Sequence, residues 1–310
     1  MNYHQAFTQT IANRSARSYP GAFDLRSRNG TIFPAHRPRF QFKFTPQQVV
    51  FTIGSCFARH IEEALFERDV FFPTRTFAVP KEEYAYRPNG LLNEFNPGAI
   101  SQRILFALNE KEFPESTVVP CGEGYADLLL MGGANDVTRE RALARRKEVD
   151  EVYKYLSRSD LVIMTLGLVE AWYDEEAGLF INRAPPHAFA EHQVNRFTLR
   201  QLDVDDCMQL LEPALDALSS RGIKTILTVS PVPLQMTFTA DDCVIANEFS
   251  KSVLRVCAER LRNCPEVDYF PSYEIVRCGG LRGYIDDQVH VRDELVREVT
   301  NYMVAVYEQG

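Results

Sequence analysis

The chain has 310 residues, 45% of them apolar and 25% charged, so it is long enough to bury a large core. Its formal net charge is −8, and its Lys and Arg residues are scattered among Asp and Glu, which argues against nucleic acid as a partner. The N-terminal segment lacks the apolar run of a secretion signal, and no later apolar run is long enough to span a bilayer. We therefore expect a cytoplasmic protein without membrane insertion.

Predicted strands and helices alternate along the chain. In chain order they are a strand at 48–53, a helix at 57–67, a charged helix ending near residue 156, a strand at 160–166, a hairpin at 171–183, the helix "DDCMQLLEPALDALSS", the strand in "GIKTILTVSPVPL", the helix "DCVIANEFSKSVLRVCAERLRN", a short strand in "VDYFPSY" and the helix "RDELVREVTNYMVAVYEQ". Short strands separated by helices predict a parallel sheet covered on both faces, which is a doubly wound α/β fold. Residues 1–45, rich in Arg, Pro and Phe, predict an irregular arm packed on a domain at 46–310.

The seven cysteines form an odd set without C-x-x-C spacing. This pattern favours reduced thiols and no metal site. For the cysteines other than Cys56 we expect buried, apolar surroundings. The two glycine-rich phosphate-binding signatures are absent from the sequence, so no nucleotide cofactor is predicted.

The stretch "FTIGSCFARHIEEAL" (51–65) joins the first predicted strand to a helix and carries two nucleophile-type side chains, Ser55 and Cys56. Ligands of open parallel sheets bind at the carboxyl ends of the strands, where this junction lies. A thiol at a helix N-terminus is stabilised as thiolate by the helix dipole and by free N–H groups. Taken alone, the tripeptide is better explained as a tight turn with a serine cap.

A second candidate element lies near the carboxyl terminus, where "IDDQVHVRDEL" places Asp287 and His290 just before the last helix. Asp-x-x-His spacing lets the carboxylate accept a hydrogen bond from one ring nitrogen while the other nitrogen faces a nucleophile. The alternative is that His290 only caps the last helix, although this stretch contains better capping residues.

The blocks "FTIGSCFARHIE", "FNPGAI", "MTLGLVEAWYD", "TVSPVPLQMTF", "NEFSKSVLR" and "YFPSYEIV" resemble the GSCFA-domain proteins, and their order resembles the wider SGNH/GDSL hydrolase superfamily. The resemblance implies a flavodoxin-like three-layer α/β/α sandwich, a nucleophile after the first strand and the Asp-x-x-His pair near the end. With the glycines in register, Cys56 falls under the nucleophilic serine of Gly-Asp-Ser and Ser55 under its aspartate. A capsular-polysaccharide acetyltransferase family with Gly-Asn-Cys is similar here, which also favours Cys56.

The chain departs from the superfamily's Gly-x-Asn block, because Gly167 is followed by Leu, Val and Glu. We therefore predict an oxyanion and substrate-binding set that uses other residues, namely Gly54, Asn96, Gly167, Glu170 and Trp172. For Glu170 and Trp172 the alternative is the base of a hairpin with an aromatic plug. Asn247 and Lys251, one turn apart, are interpreted as a solvated helix face rather than as ligand-binding groups.

These observations favour an acyl-group enzyme in which Cys56, or Ser55, attacks a carbonyl, His290 relays the proton and Asp287 orients His290. The substrate would be an O-acyl group on a glycan-like molecule or a small ester, with an acyl thioester such as acetyl-CoA as co-substrate and no cofactor. Three alternatives remain open: a simple carboxylic-ester hydrolase, a papain-type cysteine peptidase, and an inactive binding module. Cys56 is further expected to have a lowered pKa, with His290 as its cationic partner, and to be the one cysteine that reacts fast.

Overall fold

The computed structural model describes residues 1–309. Its helices are α1 (Tyr3–Ala12), α2 (Cys56–Ala64), α3 (Pro97–Leu108), α4 (Arg139–Tyr153), α5 (His187–Ala190), α6 (Val204–Ser219), α7 (Cys243–Leu261), α8 (Ser272–Cys278) and α9 (Asp293–Gln309). Its strands are β1 (Ser27–Arg28), β2 (Thr31–Ile32), β3 (Val50–Gly54), β4 (Val118–Cys121), β5 (Gly124–Asp127), β6 (Leu161–Leu166), β7 (Glu170–Asp174), β8 (Leu179–Ile181), β9 (Phe197–Gln201), β10 (Lys224–Val229) and β11 (Val267–Tyr269). Within this range, no helix combines the length and the apolar composition needed to cross a membrane.

The central sheet has four strands in the order β11-β10-β6-β3, and all of its strand pairs are parallel. Gly54 at the end of β3 lies opposite Thr165 of β6, and Val229 at the end of β10 lies opposite Leu166. The carboxyl ends of β3, β6 and β10 therefore meet at one edge of the sheet. The predicted parallel sheet is confirmed.

Two apolar layers cover this sheet. Phe51 and Ile53 of β3 pack with residues of α3, α4, α6 and α7 on one face, while Val50 packs with residues of α2, α8 and α9 on the other. Every residue of β6 is buried, which explains its unbroken apolar run. The α/β/α sandwich predicted from the resemblance is confirmed.

The predicted hairpin is present as β7 and β8, with its turn at residues 175–178. Gly178 has φ +67°, a conformation that L side chains rarely adopt, and its N–H donates to the carbonyl of Asp174 at 2.8 Å. A third strand, β9, pairs antiparallel with β7 and was not predicted. The result is a separate three-stranded sheet beside the main one.

The N-terminal arm is less irregular than the sequence indicates. Asn2 and Gln5 form a reciprocal capping box that starts α1, although no residue of Tyr3–Ala12 is buried. Further along, Phe33, Phe42 and Phe44 are buried against the α9 side of the core. The later part of the arm packs on the domain, and the boundary at residue 45 stays a prediction.

Candidate active site

Gly54 sets the direction in which the chain leaves the sheet. Its φ is +129°, and a Cβ at this position would overlap the backbone of Thr165 on the neighbouring strand. The N–H of the next residue, Ser55, donates to the carbonyl of Thr165 at 3.2 Å. The junction is therefore held tightly against β6, and glycine is required at its first position.

We expect Gly54→Ala to lower the free energy of unfolding by roughly 3 kcal/mol or more, because it combines a strained φ with a backbone overlap. Urea unfolding followed by circular dichroism measures this. Gly21→Ala is the matched control, since a Cβ there would meet no atom of residues 1–309 within 4 Å. Equal stability of the two variants would contradict this account of the junction.

Ser55 and Cys56 have different roles at the start of α2. The Ser55 side chain is 4% exposed; it accepts a hydrogen bond from the Phe57 N–H at 3.3 Å and donates one to the Ser230 hydroxyl at 2.9 Å. Cys56 is the first helical residue and is partly exposed. The Ser55 hydroxyl is thus engaged as a helix cap, while Cys56 occupies the first helical position as a partly exposed residue.

Opposing effects act on the Cys56 thiol. Burial raises its pKa, whereas the positive charges of Lys251 and Arg87 and the N–H groups of Cys56 and Phe57 lower it, and burial has the larger effect. The expected lowering of this pKa is therefore wrong for the structure as it stands. The cations that favour the thiolate are Lys251 and Arg87, where the sequence argument assigned this role to His290.

The other cysteines are more varied than predicted. Cys207 and Cys257 are buried, whereas Cys278 is exposed, which contradicts the expectation of a buried side chain there. The remaining three are partly exposed and are Cys121, Cys243 and Cys264. Selective labelling of Cys56 therefore has to be established by peptide mapping rather than assumed from burial.

Asp287 and His290 form a close pair. The carboxylate oxygen Oδ2 of Asp287 accepts a hydrogen bond from Nδ1 of His290 at 2.6 Å, and Oδ1 accepts from the N–H groups of Val289 and His290, both at 2.9 Å. These bonds, that from the His290 ring foremost, lower the pKa of Asp287 to about 2. Because Asp287 is then ionised at neutral pH, Nδ1 carries the proton and Nε2 is left to face a reactant.

The loop that carries this pair is fixed to the same edge of the sheet as Ser55. Tyr284 and Val291 form an antiparallel bridge at the base of the loop. The Tyr284 hydroxyl donates to the carbonyl of Pro231 at 2.9 Å. Pro231 follows Ser230, the hydrogen-bond partner of Ser55. The loop is thus joined to the β3–α2 junction through the end of β10.

His60 supplies a second link between the loop and α2. It lies one helical turn after Cys56, so the two side chains share one side of the helix. The pKa of His60 is lowered to about 4, first by burial and then by the charge of Arg87; Asp293 opposes this shift, and His290 adds to it. Oδ1 of Asp293 lies 3.9 Å from Nδ1 of His60, so the start of α9 lies beside this side of α2.

Residues 93–95 bridge the ends of β3 and β6. The Glu94 N–H donates to the carbonyl of Gly54 at 2.8 Å, while the carbonyl of Phe95 accepts from the N–H groups of Gly167 and Leu168 at 3.1 and 3.0 Å. A Cβ on Gly167 would lie 2.7 Å from that carbonyl oxygen. Gly167 is therefore a close-approach position, and the N–H groups of Gly167 and Leu168 are engaged within the protein.

The Asn96 amide is engaged in local structure. Its oxygen caps α3 by accepting from the Ala99 N–H at 2.8 Å, and its nitrogen donates to the carbonyl of Ile181 at 3.4 Å. Asn93, which the sequence analysis did not single out, is a freer amide. Within residues 1–309 its oxygen has no hydrogen-bond partner, and its nitrogen contacts the weak acceptor Met131 Sδ at 3.7 Å. We therefore carry Asn93, rather than Asn96, into the proposed site.

Glu170 and Trp172 form a wall beside the loop after β10. The two carboxylate oxygens of Glu170 accept hydrogen bonds from the Thr237 hydroxyl at 2.6 Å and the Phe238 N–H at 2.8 Å. The Trp172 ring packs edge-on against Phe238, with 5.3 Å between centroids. Glu170 thus fastens the loop, while the indole nitrogen of Trp172 is buried without a partner in the part of the chain that the structure describes.

Lys251 is the largest departure from the sequence-based interpretation. Its side chain is 2% exposed, and Nζ donates to the carbonyl of Gly167 at 2.6 Å. The interpretation of this residue as part of a solvated helix face is therefore wrong. The helical spacing of Lys251 with the buried residues Leu254, Ala258 and Leu261 was the signal that could have revealed it.

The GSCFA family profile matches residues 49–302, a range that starts just before β3 and extends into α9. The chain belongs to the GSCFA family. The match includes Cys56, Asp287 and His290 of this GSCFA protein, as well as Lys251. A comparison with curated protein sequences finds no match.

Two solved structures are distantly similar to this GSCFA protein. A carbohydrate esterase family 3 structure from Talaromyces cellulolyticus has 10% sequence identity and a TM-score of 0.40, covering 85% of this chain and 97% of that chain. The structure of LAE5, an alpha/beta hydrolase enzyme from the metagenome of Lake Arreo, Spain, has 14% sequence identity and a TM-score of 0.33. The alignment covers 85% of this chain and 96% of that chain.

Proposed function

We propose that this GSCFA protein is an acyl-group enzyme that transfers or hydrolyses an O-acyl group on a glycan-like molecule or a small ester. The observation that carries the proposal is the position of Cys56. Cys56 is partly exposed and begins α2 at the carboxyl edge of a parallel sheet, and the loop that carries the Asp287–His290 pair is joined to the same edge through Tyr284 and Pro231. A nucleophile, a base and an orienting carboxylate are the groups that acyl transfer requires.

The proposed reaction has two half-reactions. His290 Nε2 accepts the thiol proton, and the Cys56 thiolate attacks the acyl carbon, forming a C–S bond while the carbonyl electron pair moves to oxygen. Collapse of this intermediate expels the leaving alcohol or thiol, which takes the proton from His290. Water or an acceptor hydroxyl then gives its proton to His290 and attacks the acyl-cysteine, which releases the product and restores the thiol.

The charge that develops on the acyl oxygen needs hydrogen-bond donors. We assign this role to the backbone N–H at the start of α2 and to the amide of Asn93, whose nitrogen has only a thioether contact. Ser55 acts in this scheme as the cap that fixes the helix start. Glu170 and Trp172 shape the acceptor side through their contacts with the loop at Phe238.

The donor and acceptor follow from the chemistry. Acyl transfer through a cysteine thioester needs neither a metal nor a redox group, so no cofactor is required. In the cytoplasm, where we expect the protein, acyl thioesters such as acetyl-CoA are suitable donors, and this favours transfer over hydrolysis. A papain-type peptidase would not show repeated parallel strands, so the parallel central sheet argues against that alternative.

The direct test is to trap the acyl-enzyme. We expect brief incubation with p-nitrophenyl acetate or acetyl-CoA to add one acetyl group by intact-mass analysis, with peptide mapping locating it on Cys56. Decay of the adduct in buffer measures hydrolysis, and faster decay with an added oligosaccharide measures transfer. Acetylation at Ser55 would make that residue the nucleophile, and no adduct with either donor would favour the binding-module alternative.

A further inference from the structure

Lys251 is a buried cation without a matching carboxylate. In residues 1–309, no Asp or Glu lies within 4.0 Å of its ammonium group, and its assigned hydrogen bond goes to the neutral carbonyl of Gly167. A lysine has three N–H donors, and burying its charge is unfavourable unless another group compensates. The presence of a buried lysine here therefore needs an explanation other than the stability of the fold.

We propose that Lys251 is the positioning cation of the nucleophile and pairs with the thiolate form of Cys56. This inference rests on the proposed function in one respect: Cys56 must be the reacting group for the pairing to matter in catalysis. It gives the buried ammonium group the negative partner that the core otherwise lacks. It also supplies positive charge at the strand end where the superfamily's Gly-x-Asn block is missing its asparagine.

The backbone register brings Lys251 to the nucleophile junction. Nζ reaches Gly167, which follows the end of β6, and Thr165 of β6 lies opposite Gly54, two residues before Cys56. The middle of α7 is held in place by a further contact, because the Ser250 hydroxyl accepts from the Val169 N–H at 2.8 Å. The lysine is thus anchored to the strand ends rather than free to swing into solvent.

Asn247 fixes the same helix one turn earlier. Its side-chain oxygen accepts from the Leu234 N–H at 3.1 Å, which joins α7 to the loop after β10. Asn247, Lys251 and Leu254 follow helical spacing on the face of α7 that is turned toward the sheet. The direction of the lysine side chain is therefore set by the docking of the whole helix.

Burial opposes charge on both members of the pair, and the charge of each one offsets part of that effect on the other. Burial lowers the pKa of Lys251 to about 7, while Cys56 and Glu248 raise it. Burial raises the pKa of Cys56, and the charges of Lys251 and Arg87 oppose that rise. Among these groups Lys251 is the buried cation, whereas Arg87 is partly exposed and bonded to Glu63 at 2.9 Å.

The test measures the pH at which Cys56 becomes reactive. Iodoacetamide labelling rates, resolved by peptide mapping, give the midpoint for wild type, Lys251→Met and the control Arg87→Gln. Because Met keeps the volume and removes the charge, we expect its midpoint to rise by about one pH unit or more. Arg87→Gln should shift it less, because solvent screens that charge. An unchanged midpoint in Lys251→Met would overturn the proposal.

A stability measurement separates this role from a purely structural one. If the charge serves Cys56, Lys251→Met should melt at pH 7 no lower than wild type, since an uncompensated buried charge has been removed. A lower melting temperature with unchanged labelling would mean that Lys251 only supports the fold.

A reciprocal experiment leaves the lysine intact in case Lys251→Met does not fold. In Cys56→Ala the titration midpoint of Lys251, followed by NMR of the labelled side chain, should fall relative to wild type, because the thiolate no longer favours the ammonium form. An unchanged midpoint would contradict the pairing. None of these readouts needs turnover, so an inactive enzyme with shifted midpoints would refute the proposed function and leave the Cys56–Lys251 pair standing.

Discussion

Cys56→Ala is expected to abolish acyl turnover and the acyl-enzyme adduct, because no covalent intermediate can form without the thiol. The loss should reach the detection limit of a p-nitrophenyl acetate assay. The fold should be retained, since Cys56 is the first residue of α2 and alanine suits a helix. Initial rates, intact mass and a thermal melt on the same preparation measure these three quantities.

Ser55→Ala is the matched control at the adjacent position. It removes the helix cap and the hydrogen bond to Ser230, so we expect a loss of about 1 kcal/mol in stability, the usual cost of losing a cap. A measurable fraction of the activity should remain, because the thiol is still present. If Ser55→Ala is inactive while Cys56→Ala keeps its turnover, the nucleophile is Ser55 and the assignment fails.

Asp287→Asn is expected to lower kcat by something on the order of a hundredfold or more. The amide cannot stabilise the imidazolium and no longer fixes Nδ1 of His290 as the protonated nitrogen. Since Asp287 is exposed, little change in stability should accompany the loss. Steady-state kinetics across pH, together with a thermal melt, separates a catalytic defect from unfolding.

The neighbouring carboxylate provides the control for this substitution. Asp286 is exposed on the same loop and carries the same charge, so Asp286→Asn tests whether charge alone matters. We expect its kinetics to stay near wild type. Near-normal kcat in Asp287→Asn, or an equal loss in both variants, would show that the bond to His290 serves the loop rather than the chemistry.

The fold could be predicted from the sequence because its signals are local. Apolar runs such as Leu161–Leu166, separated by helical spacing, are enough to indicate a parallel sheet covered on both faces. The strand Phe197–Gln201 was missed because its partner strand β7 is distant in the chain, with β8 and the short helix α5 between them. None of its residues is buried, so it lacks an apolar run. The helix Tyr3–Ala12 was missed because the interpretation rested on composition rather than on the Asn2 and Gln5 caps.

The candidate site could be predicted only as far as it depends on chain-local motifs. Cys56 follows a tight glycine turn, and Asp287 lies three residues before His290, so both features are visible in the sequence. The state of the Cys56 thiol depends on burial and on Lys251, which is distant in the chain. The Asn96 nitrogen is likewise bound by a residue distant in the chain, the carbonyl of Ile181, whereas the helix cap made by its oxygen is local.

The bridge at residues 93–95 makes the floor of the site stiff before any substrate arrives. The Asn182 side chain, which follows β8, binds both ends of this segment. It accepts a hydrogen bond from the Phe95 N–H at 3.0 Å and donates one to the carbonyl of Asn93 at 2.5 Å. With backbone bonds to Gly54 and Gly167 as well, the ends of β3 and β6 form one preassembled platform. In the proposed reaction, little reorganisation energy is then spent beneath the acyl carbon, and adaptation to different acceptors is left to the outer loops.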